Sequence, residues 1–179
     1  MPRIPYKTDQ EAEQAGPAEL IASIRKRRGG RLGALDRILL HSPPFASGWG
    51  ELLGRVRGEL AVPMVLRELA MCAVAVLNEA EYELHHHGPI FLSSGGSPAQ
   101  LDALRRLPAV DAALFDTTQQ AALQLAVEMT RQVKVSDATF EAARRALGSE
   151  RHLFELIGVI AAYNMVSRIL VAVGVEATD

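Results

Sequence analysis

Cysteine is almost missing from this chain. Cys72 stands alone, so no intramolecular disulfide can form, and the chain suits a reducing cytoplasm. Aromatic residues are only 5% of the chain and none is interleaved with the basic run near residue 28, which argues against a nucleic-acid surface. Excess charge is missing too: the formal net charge is −2, leaving no global field to attract nucleic acid or an anionic membrane. Long apolar runs are lacking. The longest, residues 70–77, falls far below the roughly 18 residues of a membrane span. The opening MPRIPYKTDQ has no apolar signal core, so no targeting segment is expected. There is no low-complexity tract and no repeat at solenoid spacing.

What is present fits one folded domain. Hydrophobic residues are 49% and charged residues 22% of 179 positions, enough to bury a real core. Apolar residues recur at helical spacing almost throughout, and no run alternates as a strand would. The spacing predicts helices over residues 17–28, 32–40, 43–57, 63–77, through the following segment to 92, then from 98, from 117 to about 133, over 136–147 and from 150 onward. Ser42-Pro43 joins a hydroxyl cap to a proline in the first turn, and Ser97-Pro98-Ala99-Gln100 has the form of a capping box. The expected class is all-α, with residues 1–16 an extended N-terminal arm and 17–179 a single domain. The helix over 66–77 is apolar nearly all round and the last stays apolar to Val175, so self-association is expected to cover them.

Chemistry concentrates in Glu79-Ala80-Glu81-Tyr82-Glu83-Leu84-His85-His86-His87, three carboxylates and three imidazoles in nine residues beside the most apolar segment. Glu83 and His87 are spaced i, i+4, which puts both on one helix face with Cβ atoms about 5–6 Å apart. A carboxylate at that distance fixes the imidazole tautomer and raises its basicity, leaving the other nitrogen to move a proton. Glu68 lies within LRELAMCAVAVL, where an unpaired buried carboxylate would cost several kcal/mol. It therefore needs a partner or a function. The plainer alternatives are an exposed Glu–His pair worth a few tenths of a kcal/mol, and Glu68 paired with Arg67 or an arginine of another subunit.

A metal site is weaker. Three consecutive histidines diverge by about 100° each on a helix, no HExxH spacing occurs, and His41 or His152 would have to supply a third ligand. The run Arg25-Lys26-Arg27-Arg28-Gly29-Gly30-Arg31 suits a helix C-terminus, although its arginines could instead meet an anionic ligand or a neighbouring subunit. Tyr163-Asn164 interrupts the last apolar stripe and reads as a satisfied core tyrosine and its neighbour.

At these residues the chain resembles the carboxymuconolactone decarboxylase / alkylhydroperoxidase D-like superfamily. The redox branch of that superfamily carries a glutamate, a CxxC pair starting twelve residues later, and a histidine four residues after the second cysteine. In this chain the frame falls on Glu68, Ala80, Glu83 and His87. The resemblance covers about residues 49–133 and implies an all-α fold assembled as a homotrimer or hexamer. Both cysteine positions are replaced, by Ala80 and Glu83, so the thiolate and resolving thiol of peroxide reduction are missing. The chain is therefore closer to the non-redox branch. That implies a cofactor-independent, cytoplasmic lyase or isomerase acting by Glu/His acid–base chemistry on a small carboxylated or lactone-like compound. The expected roles are His87 as acid/base, Glu83 as its orienting partner and Glu68 as a second acid/base or ligand anchor. Tyr82, His85 and His86 are expected in the pocket wall and Arg67 on the substrate. No metal, cofactor, nucleic acid or membrane is called for. The alternative is a catalytically silent oligomeric binding or scaffold protein of the same fold.

Overall fold

The computed structural model describes residues 2–177, and among them finds helices and loops but no strand. Ten α-helices follow in order: α1 (Asp9–Glu13), α2 (Ala18–Arg27), α3 (Ala34–Leu39), α4 (Pro43–Gly58), α5 (Met64–Leu77), α6 (Glu81–Ser93), α7 (Pro98–Ala103), α8 (Thr117–Arg131), α9 (Asp137–Leu147) and α10 (Glu150–Val173). A short 3₁₀ turn, Leu104–Arg106, extends α7.

Local chemistry sets most of the boundaries. Ser97 and Gln100 close the capping box expected before α7, and Asp116 with Gln119 does the same for α8. Gly148 and Gly174 take the left-handed conformation that ends α9 and α10. Two local expectations fail. Residues 1–16 are not wholly extended, because Thr8 and Glu11 form a capping box that nucleates α1. Ser42 precedes α4 without a side-chain capping bond, leaving Pro43 at the first position as the helix-start signal.

The core is built around α5, which packs on α6, α8 and α10. Every residue from 66 to 75 of this helix is buried. At roughly 1.5–3 kcal/mol for each large apolar side chain withdrawn from water, Leu66, Leu69, Met71 and Val74 are major contributors to folding. One chain buries α5 continuously from Leu66 to Ala75, so the argument that a second copy is needed to cover that stretch fails. The large apolar side chains left open include Met64 at the start of α5, Phe45 and Leu52 on α4 and Phe154 on α10.

α10 also corrects the reading of apolar length. It is long and apolar enough, by length and composition alone, to cross a membrane, and half of that stretch is buried inside the chain. Its packing against α5, α8 and α9 and its buried Tyr163, Asn164 and Ser167 are those of a core helix.

Candidate active site

Three elements bring the site together. Glu68 lies in the buried middle of α5, Glu83 and His87 lie one turn apart on α6, and Tyr163 lies in the middle of α10. The turn from α5 to α6 is tight: Glu79 takes a φ of 56°, and the Ala80 amide bonds back to the Ala75 carbonyl. Asn78 in this turn donates to Asn164 on α10 at 3.1 Å, and Asn164 in turn donates to Thr130 on α8 at 3.0 Å. The neighbour of Tyr163 thus ties the turn and α8 to α10, which fixes where the tyrosine points.

Glu68 Oε2 lies 2.7 Å from His87 Nδ1, and both side chains are buried. On the other side of the ring, Tyr163 Oη lies 2.9 Å from Nε2. Glu83 Oε2 stands 3.4 Å from the same nitrogen, long for a hydrogen bond but within ion-pair range. Burial works against charge on the ring, yet the Glu68 and Glu83 carboxylates outweigh it and hold the imidazole up to about 9. At neutral pH His87 is therefore an imidazolium, with Nδ1–H donating to Glu68 and Nε2–H donating to Tyr163 Oη. In the neutral form Nδ1–H still donates to Glu68, and the tyrosine hydroxyl donates to Nε2. Burial pushes the Tyr163 hydroxyl up, opposed by the nearby Arg57 guanidinium, so Tyr163 stays protonated.

A cavity of about 270 Å³ opens beside this cluster, with Glu83, His87, Tyr82 and His86 in its wall. Leu35 and Ile90 supply an apolar part, and Arg27, Arg28 and Arg57 supply the remainder. Tyr82 and His86 stack edge to face with centroids 4.3 Å apart. Burial pushes the His86 imidazole down, and its Nε2 is buried with no hydrogen-bond partner among the described residues. A larger cavity of about 580 Å³ lies between α2 and α4, but no histidine, cysteine or tyrosine lines it.

The structure therefore joins Glu68, Glu83 and His87 and places Tyr82 and His86 beside them, while changing the expected partnership. Glu68, not Glu83, makes the short bond to His87, because Nδ1 faces α5 across the helix pair. Two expected residues are elsewhere. Arg67 turns its guanidinium to the carbonyls of Arg57 and Val56 at the C-terminal end of α4, at 2.8 and 3.4 Å, so it neither pairs with Glu68 nor lines the cavity. His85 is exposed on the opposite side of α6, in a depression beside Leu101 and Arg105, because one residue is a 100° step on a helix. Among the described residues no three His, Cys, Asp or Glu side chains are placed to hold a metal, and His41 Nε2 lies 2.9 Å from the Pro5 carbonyl. Cys72 is fully buried, and that burial pushes its thiol up, with Glu68 and Glu83 adding to the effect.

Sequence reasoning missed Tyr163 and Arg57. Tyr163 is a buried tyrosine with a partner, as expected, but the partner is His87. The polar Tyr163-Asn164 pair inside an apolar stripe was its signal. Arg57 left none, since only the packing of α4 against α10 brings it close to Tyr163.

Residues 43–128 match the carboxymuconolactone decarboxylase family. That match spans a little under half of the chain. All four frame positions, Glu68, Ala80, Glu83 and His87, fall inside the matched segment. Among solved structures, the chain is similar to an uncharacterized peroxidase-related protein from Ralstonia eutropha JMP134 described as an alkylhydroperoxidase AhpD core. Identity is 19% and the TM-score 0.80, covering 99% of this chain and 93% of that one. It is also similar to an uncharacterized peroxidase-related protein from Silicibacter sp. TM1040, at 21% identity and a TM-score of 0.78 over 98% and 93% of the two chains. A third is a cysteine-to-alanine variant of the debrominase Bmp8 in complex with 2,3,4-tribromopyrrole, at 16% identity and a TM-score of 0.74 over 96% and 89%. At these identities the likeness is one of fold. No curated protein matches the chain.

Proposed function

We propose that this protein is a cofactor-independent lyase or isomerase that moves protons on a small carboxylated or lactone-like compound. The observation that carries the reading is the buried Glu68–His87–Glu83 cluster at the wall of a cavity. Two buried carboxylates flanking one imidazole cost desolvation energy that a purely structural core would avoid with apolar residues of the same volume. Such arrangements concentrate at sites that handle protons.

The roles follow from the distances. Glu68 lies behind the ring, holds Nδ1–H and keeps the imidazole charged. His87 stores the proton. Glu83 lines the cavity next to Nε2 and exchanges that proton with the ligand. In a decarboxylation next to a conjugated carbonyl, the bond to the carboxyl carbon breaks, carbon dioxide leaves, and the electron pair passes into an enolate. A proton from the Glu83–His87 pair then goes to carbon, and solvent restores it. The cavity volume lies just below the range typical of drug-sized ligands, which limits the substrate to a small molecule. The debrominase among the fold neighbours is bound to a tribrominated pyrrole, a ligand of that scale. Thiol peroxidase chemistry is disfavoured, since Cys72 is buried and the CxxC positions are Ala80 and Glu83. Self-association as a homotrimer or hexamer belongs to the same proposal, and the exposed Phe45, Leu52 and Phe154 favour it.

The test is turnover of small unsaturated lactone acids, followed by release of carbon dioxide and by solvent deuterium incorporation at carbon. His87→Gln should lower kcat at least about a hundredfold while far-UV circular dichroism shows the variant still folded at the assay temperature. Unchanged turnover in that variant, or no turnover by the wild-type protein, overturns the reading.

A further inference from the structure

Three residues of the cavity wall take no part in the acid–base roles. Arg27, at the end of α2, and the adjacent Arg28 meet Arg57 from the end of α4 around one space, so three guanidinium groups converge where water is partly excluded. Nothing in the acid–base roles requires them. Asp36 on α3 is buried, with its carboxylate 3.2 Å from Arg28 Nε and 4.0 Å from Arg27, and it also accepts from the Gly33 amide at 3.0 Å. That carboxylate holds two of the arginines in place from outside the cavity. Arg57 has no carboxylate partner among the described residues; its neighbour is the Tyr163 hydroxyl, itself bonded to His87.

Crowding like charges is unfavourable unless something answers them. Three guanidinium charges face two carboxylates, Asp36 and Glu83, while His87 and Glu68 cancel each other. One positive charge is left over in the cavity. That surplus suits a monoanion better than a phosphate dianion, and the planar fork of arginine matches the two oxygens of a carboxylate.

We infer that Arg57, flanked by Arg27 and Arg28 held on Asp36, forms a carboxylate-recognition wall that binds the acid group of a small organic monoanion beside Glu83. This rests on the cavity being the substrate site and narrows the substrate class to monocarboxylates, whose anchored acid is retained in the isomerase form of that reading, a proton shift. Asp36 is a positioning residue.

Titration calorimetry on the intact protein tests it with acetate, benzoate, 2-furoate and sorbate, the neutral amides of the last three, and inorganic phosphate. At least one carboxylate should bind saturably and at least about tenfold tighter than its amide and than phosphate. Arg57→Gln should erase that preference, Arg57→Lys should restore part of it, and Arg27→Gln, at an exposed position, should weaken carboxylates several-fold. Lys134→Gln makes the same change in net charge at a distant exposed site and should alter nothing. Equal affinity for acid and amide, tighter phosphate binding, no saturable carboxylate binding, or equal losses in Arg57→Gln and Lys134→Gln overturns the inference. Binding is read without turnover. A carboxylate held through Arg57 but never turned over therefore sinks the acid–base function and leaves the wall standing, and the reverse result does the opposite.

Discussion

Replacing Glu68 with Gln should expose how much of the fold's stability rests in the His87 imidazolium. The folded protein holds that ring up to about 9 against an ordinary 6.5, with Glu68 at 2.7 Å as its short-range partner. At about 1.36 kcal/mol per tenfold change, the gap corresponds to about 3 kcal/mol of stability. Its sign follows from the direction of the shift. A group whose pKa is higher folded than unfolded contributes fully below 6.5, and the contribution disappears as pH rises through about 9. Removing the carboxylate does not strand a buried charge, because the imidazole can lose its proton instead. The loss in Glu68→Gln is therefore bounded by about the same 3 kcal/mol, some of which Glu83 retains.

For a chain of this length, up to about 3 kcal/mol is up to roughly 6–12 °C in Tm. Calorimetric melts of both proteins from pH 6 to pH 10 should show that gap at pH 6 and a narrowing above pH 9, where wild-type His87 is neutral too. NMR titration of the His87 ring gives the direct check: near 9 in the wild type and well below that in Glu68→Gln. A wild-type ring titrating near 6.5, or a stability gap unchanged from pH 6 to pH 10, refutes the coupling and removes the charged proton store from the mechanism.

Further measurements probe the rest of the site and its support. Tyr163→Phe removes the hydroxyl on Nε2 and should lower kcat about ten- to a hundredfold while the protein stays folded, read by steady-state kinetics beside far-UV circular dichroism. Cys72→Ala should leave turnover within about twofold and cost roughly 1 kcal/mol in a urea melt, since the thiol is buried and takes no part in the chemistry. Gly96→Ala would drive a Cβ into the Phe91 ring, which is fully buried and has little room to yield; a loss of about 1–3 kcal/mol is expected in the same melt. Light scattering should give a trimer or hexamer, and Phe45→Asp with Leu52→Asp should reduce its mass. A monomeric wild-type protein at tens of micromolar ends the self-association proposal.

The helices were legible because their signals are local. Ser97 with Gln100 and Asp116 with Gln119 announce helix starts within four residues, and apolar spacing does the rest. The presence of Glu68, Glu83 and His87 was legible for a related reason: charge set against a long apolar background stands out in one dimension. Which carboxylate holds which nitrogen was not. The i, i+4 rule makes Glu83 a neighbour of His87, but it cannot state that α5 brings Glu68 closer from the other side. Adjacency misled twice in the same way. Arg67 follows Leu66 and precedes Glu68, yet one step of 100° aims it at the end of α4; His85 is two steps from His87 and reaches solvent.

The arginine that does approach the site, Arg57, lies eleven residues before Glu68 and one helix earlier. Only the packing of α4 on α10 brings it to Tyr163, and through that hydroxyl to His87. The same dependence yields a discriminating consequence. If Arg57 anchors a carboxylate while Tyr163 reads the state of His87, ligand binding and ring protonation must be linked through the shared hydroxyl. Saturating carboxylate should then raise the His87 pKa more in the wild type than in Tyr163→Phe, because the shared hydroxyl adds a bonded path to the field of the added negative charge. Equal shifts in both proteins would mean that the field acts through space, with Glu83 rather than Tyr163 as the link between ligand and proton.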